Sequence, residues 1–247
     1  MTPSPSEQRY CEHCGEAFTH EPMMVGKIDL LASVKLCGPC SDQAELEEIK
    51  AKRTAKAKAA WEEQVPATYR ATDPEHPDYP NNLHAEAFSW MASNIIKPGD
   101  EVLPFLGIMG ASGLGKTRVI SQMVRKLIWL RHHVTWMNSS SFQWAAQHQF
   151  NSKESAEAVK HLHAWKRTEI LVFDDIGSLK STEVISDALY GLLEHRSANA
   201  MPILWTSNED LEEIMAGKGI TDKARRRIIT RLGGFSEIIA TATPQTS

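Results

Sequence analysis

The residues best suited to chemistry are Gly110-Ala111-Ser112-Gly113-Leu114-Gly115-Lys116-Thr117, which fit the pattern G-x-x-x-x-G-K-T. They lie between an apolar run and the helical stretch Arg118 to Leu130, the strand-loop-helix context that such a loop requires. Glycines let the main chain curl until successive N–H groups face phosphate oxygens, and a helix start adds the positive end of its dipole there. Lys116 is then expected to reach the β- and γ-phosphates of ATP, and Thr117 to hold Mg²⁺. About sixty residues on, Ile170-Leu171-Val172-Phe173 is an apolar strand ending in Asp174-Asp175. Carboxylates at the carboxyl end of a parallel strand lie where such sheets bind ligands. Asp174 is read as the second Mg²⁺ holder and Asp175 as the group that polarises an attacking water. A turn signal after a buried strand is the plainer alternative for the pair.

A second constellation is Cys11-x2-Cys14 and Cys37-x2-Cys40, with 22 residues between the pairs. Two such knuckles bring four thiolates to one tetrahedral Zn²⁺, a closed structural shell with no position for water. A head of roughly 40 residues buries too little apolar surface to fold alone. Structural zinc supplies about 10 to 16 kcal/mol in small finger peptides, so metal binding and folding should coincide here. His13 and His20 are spare and read as surface residues.

These sites need a scaffold, and the composition shows one. Residues 1–42 form the Cys-bearing module, 43–81 a charged helix and linker, and 82–247 the α/β core. The run Glu45 to Glu63 is Ala-rich and proline-free with Lys50, Lys52, Arg53, Lys56 and Lys58, which predicts a helix whose basic stripe serves either as a solvated spacer or along DNA. In the core, strands are predicted at Leu103–Met109, Val134–Met137, Ile170–Phe173, Ile203–Thr206 and Phe235–Ala240. Helices are predicted at Asn82–Ile96 and from near Gly115, Lys153, Thr182, Glu209 and Asp222. Alternation of this kind argues for a mostly parallel five-stranded sheet covered on both faces.

Together Gly110 to Thr117, Asp174-Asp175, Thr206 to Asn208 and Arg227 to Arg231 resemble the AAA+ P-loop core of replicative-helicase loaders of the DnaC and DnaI type and of the related IstB transposition helpers. The resemblance covers roughly Val65 to Ala240. It implies strand order 5-1-4-3-2, ATP-dependent self-association, and contact with single-stranded DNA and a hexameric replicative helicase. It assigns Asn208 to orienting water or γ-phosphate, although Ser207-Asn208-Glu209-Asp210 is also a good capping turn. Arg231, in Thr230-Arg231-Leu232, becomes the candidate arginine finger for a neighbouring subunit's site, a basic helix face in water being the alternative. Arg196 falls either near the subunit boundary or on the surface, and Tyr69, in Val65-Pro66-Ala67-Thr68-Tyr69-Arg70, either near adenine or in the core. For DNA the candidates are Phe142, Trp144, Phe150, Lys153 and Lys160; aromatic rings can stack on bases, or anchor a helix. Asp175 departs from the glutamate common at this position by one methylene, so slow hydrolysis is expected. A lid-less core is expected because the sequence ends soon after the fifth strand.

The bulk numbers limit the alternatives. A net charge of -4 over 247 residues gives no global field that would draw nucleic acid or membrane, so contacts must come from local clusters. No apolar run approaches the roughly 20 residues of a membrane helix and no export signal opens the chain, which makes the cytoplasm the default. An IstB-like helper that recruits a transposase and a nucleotide-switched adaptor with little turnover are the competing functions.

Overall fold

A computed structural model describes residues 7–21, 23–25, 28–29, 33–98, 103–151, 153–180, 182–214 and 221–241. The chain divides into two compact units, Met1–Lys58 and Ala59–Ser247. In the first, β1 (Glu7–Tyr10) pairs antiparallel with β2 (Ala17–His20), and β3 (Met24–Val25) with β4 (Ile28–Asp29). Helix α1 (Gly38–Gln64) crosses the division between the units. Its sequence is rich in good helix formers, and Glu48 and Lys52 add an ion pair of 2.6 Å one turn apart. Lys50, Arg53, Lys56 and Lys58 are exposed along it. His13 is exposed; the side chain of His20 lies outside the described residues.

The second unit continues with α2 (Ala67–Arg70), α3 (Asn81–Met91) and a π-helical turn Ala92–Ile96. Then come β5 (Phe105–Met109), α4 (Lys116–Trp129), β6 (Val134–Asn138), α5 (Ser139–His148) and α6 (Ser155–Arg167). They are followed by β7 (Ile170–Asp174), a 3-10 turn Ile176–Ser178, α7 (Glu183–Ala198), β8 (Ile203–Ser207), α8 (Asp222–Phe235) and β9 (Ser236–Ala240). The last five strands form one parallel sheet in the order β6-β7-β8-β5-β9, which is the expected 5-1-4-3-2 order counted from the other edge. Strands β5, β7 and β8 are buried along nearly their whole length, the pattern of a sheet covered on both faces.

One boundary differs from the sequence reading. The first strand of the core, β5, begins at Phe105 rather than at Leu103, which is 43% exposed and is followed by Pro104, a residue with no N–H to give a ladder. Of the stretch expected to be helical from Glu209, the described residues hold a turn at 211–214, closed by Ile214 N donating to Asp210 O at 3.0 Å, and residues 215–220 lie outside them. Side chains of Ser207 and Asp210 cap the main chain here, to Glu209 N and Glu213 N at 3.0 and 2.8 Å, and Glu213 returns the contact to Asp210 N at 3.3 Å, the reciprocal pattern that opens a helix.

The sheet is locked sideways by one indole. Trp205 of β8 is fully buried and lies across β5 at Gly107, where an added Cβ would meet the ring at 2.1 Å, and its Nε1 donates to Ser236 Oγ of β9 at 2.9 Å. Three strands are thus tied by one side chain that needs a glycine beneath it.

Arg196 corrects the surface reading, for its side chain lies in the interior. It is 0% exposed and its guanidinium donates to the main-chain oxygens of Trp165, Lys166, Thr168, Glu169 and Pro202 at 2.6 to 3.4 Å. These carbonyls close α6 and lead into β7 and β8. Helix C-termini leave carbonyls without partners and carry the negative end of the dipole, and a buried cation answers both needs. Replacing Arg196 by leucine strands several buried acceptors, each worth about 1 to 3 kcal/mol, so urea unfolding should show a loss of at least about 3 kcal/mol. An unchanged midpoint would mean that the carbonyls find other partners.

Candidate nucleotide-binding site

Where β5 ends, the chain turns through Gly110, Gly113 and Gly115 with φ of 141°, 84° and 80°, a region that side chains with a Cβ avoid. Space is short as well, since a Cβ at Gly110 would meet Thr241 Oγ1 at 1.8 Å and one at Gly115 the Pro80 ring at 2.8 Å. Gly110 N donates to Ser207 O at 3.2 Å, and Thr241 N to Met109 O at 2.8 Å, so the loop is pinned between the ends of β8 and β9. Helix α4 starts at Lys116, its first N–H groups facing the loop.

A cavity of about 470 Å³ opens here, lined by Ser112, Lys116, Thr117, Asp174, Asp175 and Asn208 among others. Lys116 is buried, and its Nζ donates to Gly110 O, Ala111 O and Asn208 Oδ1 at 2.7, 2.8 and 2.8 Å. Burial pulls its pKa below the ordinary lysine value, against the opposing charges of Asp175 and Asp174. Asp174 Oδ1 accepts from Thr117 Oγ1 at 3.0 Å and Thr206 Oγ1 at 2.7 Å. Burial pushes this carboxyl up, and the two hydroxyls pull it back. A hydroxyl and a carboxylate oxygen converging in this way are hard oxygen donors of the kind Mg²⁺ takes alongside water and phosphate.

Asp175 stands just beyond β7 with φ of 59°. Its N–H donates to Thr206 Oγ1 at 2.7 Å and its carbonyl accepts from Ser139 Oγ. Its carboxylate accepts from Asn208 Nδ2 at 3.3 Å and from Ser178 Oγ. Asn208 therefore bridges Lys116 and Asp175. Ser139 and Ser178 escaped the sequence reading; the only sign of Ser178 was its place three residues after Asp175. Glu209 was also missed: burial and the nearby charges of Glu213, Asp175 and Asp210 raise its pKa.

Tyr69 lines the same cavity and stacks on Trp136 of β6 with ring centroids 6.3 Å apart. A second hollow of about 560 Å³ flanks the loop on the β9 side, lined by Tyr79, Pro80, Asn81, Leu114, Ile239 and Thr241. Sequence reasoning passed over it because its walls come from opposite ends of the core.

Arg231 does not share the cavity of Lys116 within one chain. Its Nε lies 2.5 Å from Glu194 Oε2 on α7, and its guanidinium sits over Phe235, 5.5 Å from the centroid. Arg227, one turn earlier, lies 3.8 Å over Tyr190. Of the DNA candidates, Phe142 must be withdrawn: it is 0% exposed and packs on Phe173 and Trp165 at 5.3 and 6.1 Å. Trp144 is half-buried, while Phe150, Lys153 and Lys160 are exposed.

In the first unit the Sγ atoms of Cys11, Cys14, Cys37 and Cys40 lie within 4.8 Å of one another. Main-chain N–H groups of Cys14 and Cys37 bring the Cys11 thiol down to about 6, whereas the neighbouring Cys37 thiol and burial push Cys40 up. One thiolate is favoured and a further one is opposed by its neighbours, a conflict that a divalent cation removes. Four soft sulfurs at this spacing fit tetrahedral zinc.

A family model of the bacterial DnaA ATPase domain matches residues 79–232. The curated proteins include no match. Among solved structures, DnaI is 20% identical over 72% of this chain and 89% of its own, with a TM-score of 0.51. A putative primosome component from Streptococcus pyogenes serotype M3 is 20% identical over 74% of this chain and 96% of its own, with a TM-score of 0.53. The replication initiator DnaA, solved bound to AMPPCP and single-stranded DNA, is 16% identical over 66% of this chain and 45% of its own, with a TM-score of 0.50. This chain spans about half the length of the DnaA chains it resembles, 51% and 45% in two cases. At these identities the likeness speaks for the AAA+ fold, and the family match extends across the P-loop, the paired aspartates and most of α8. The chain belongs to the bacterial DnaA ATPase-domain family, as an AAA+ core preceded by a four-cysteine module.

Proposed function

We propose that the protein binds and hydrolyses ATP with Mg²⁺ and serves in DNA replication as a helicase loader, gripping single-stranded DNA and a hexameric helicase. The observation that carries this reading is the convergence of Lys116, Thr117, Asp174, Asp175 and Asn208 around one cavity at the glycine loop. Main-chain N–H groups of Gly110 to Gly115 take the phosphates, and Lys116 exchanges its internal acceptors for phosphate oxygens. Thr117 and Asp174 would hold Mg²⁺, which would supply positive charge to offset that of the triphosphate. Asp175 accepts a hydrogen bond from the attacking water, and Asn208 orients water or γ-phosphate. The base goes to the hollow of Tyr79 and Pro80 and not against Tyr69, because Tyr69 stacks beside β6 on the far side of β5; Tyr69 instead walls the triphosphate cavity.

Arg231 acts on a neighbouring subunit's nucleotide, since no arginine of α8 lines its own chain's cavity. Single-stranded DNA is supported by a groove of about 620 Å³ lined by the half-buried Trp136 and Trp144 and by His161, where, among the described residues, Trp136 Nε1 has no hydrogen-bond partner. Indole faces stack on any base, at about 1 to 3 kcal/mol each. The structural neighbour bound to single-stranded DNA agrees with this reading. The cysteine module holds one structural Zn²⁺ and docks on the helicase. Among the described residues no helix is long and apolar enough to cross a membrane.

Three substitutions test this reading. Lys116→Ala should abolish ATP binding in calorimetry, and normal affinity would refute phosphate binding at the loop. Asp175→Asn should keep binding while turnover, measured with single-stranded DNA and helicase present, falls at least about 10²-fold. Cys37→Ser should strip zinc and unfold only the first unit, visible as lost metal content with an unchanged ATP affinity; retained metal with a folded head would contradict the zinc assignment.

A further inference from the structure

We propose that Ser178 is a positioning residue that aims the Asp175 carboxylate for hydrolysis, an inference that rests on the role given to Asp175 above. The main chain of Asp175 is fixed on both sides, by Thr206 Oγ1 at its N–H, 2.7 Å away, and by Ser139 Oγ at its carbonyl. Its left-handed φ of 59° turns the side chain off the line of β7. What remains free is rotation of the carboxylate itself, and two donors restrain it: Asn208 Nδ2 on Oδ1 and Ser178 Oγ on Oδ2.

These two donors are not equivalent. Asn208 contacts Oδ1 at 3.3 Å and is shared with Lys116, so its orientation changes when the lysine turns to a phosphate. Among the described residues the Ser178 hydroxyl donates to Asp175 alone, and its position is set by the 3-10 turn Ile176–Ser178, in which Ser178 N donates to Asp175 O at 3.1 Å. That turn is pressed against β8 at Gly177, where an added Cβ would come 2.6 Å from Ser207 Oγ. A carboxylate oxygen has two lone pairs, so holding each oxygen with one donor leaves each able to accept from a water. An aspartate reaches one methylene less far than a glutamate and has a narrower range of productive orientations. The hydroxyl thus compensates for the short side chain by keeping it in place when Asn208 moves.

The test is single-turnover hydrolysis of radiolabelled ATP by the full chain, with binding measured in parallel. Ser178 is exposed, so its variants should fold. Ser178→Ala should lower the hydrolysis rate by about 10 to 100-fold, the scale of a small misplacement of a reacting group, while ATP affinity stays the same. Ser178→Thr, which keeps the hydroxyl, should restore most of the rate. A wild-type rate in Ser178→Ala, alongside a crippled Asp175→Asn, would overturn the positioning role and leave Asp175 in place. A loss that Ser178→Thr does not repair would also overturn it. Normal turnover in Asp175→Asn would instead sink the reading on which it rests.

Discussion

Parallel strands that end level with one another are the constraint on which the site depends. The ladder pairs Met109 with Ser207 and Asn138 with Asp174, so the glycine loop, the aspartates and Asn208 all leave the sheet along one rim. A parallel ladder requires each strand to return through a crossover, and the helices that make those crossovers cover both faces. The interior is therefore dry below the rim and polar at it. β5 sits between β8 and β9, and the loop it launches takes support from both neighbours. That arrangement matches the switch point at which open α/β sheets bind ligands.

Charge in this half-buried rim is balanced internally. A lysine and two carboxylates taken from water need partners, or burial neutralises them. Lys116 has three acceptors, Asp174 two hydroxyl donors, and Asp175 an amide and a hydroxyl. The cysteine cluster lacks that balance, because four thiols within 4.8 Å of one another offer no positive group to offset a second thiolate. The two sites therefore differ in kind: the first is organised by its own side chains, and the second needs a cation to be complete.

Legibility in the sequence followed range. The glycine loop, the aspartate pair and the cysteine pairs are short-spaced patterns, and strands read from apolar runs began and ended within about two residues of their places in the fold. Partnerships across the chain were not readable. Arg196 meets carbonyls up to 31 residues away, and Ser139 meets Asp175 across 36, distances at which spacing carries no signal. Phe142 and Phe150 show the same limit in another form. Both are aromatic residues in one polar stretch, yet one is fully buried and the other 79% exposed, because Phe142 sits on the face of α5 that packs on Phe173 and Trp165 whereas Phe150 follows the end of that helix.

The indole over Gly107 also bears on how this sheet can drift over generations. Enlarging position 107 first drives a methyl into the ring, and shrinking Trp205 first leaves a void and an unpaired Ser236 hydroxyl. Either order passes through a less stable ancestor, while the double change can refill the space. The pair is thus an epistatic hinge: relatives should carry either glycine with the large ring or a bulkier residue with a small one, and mixed combinations should be rare among them.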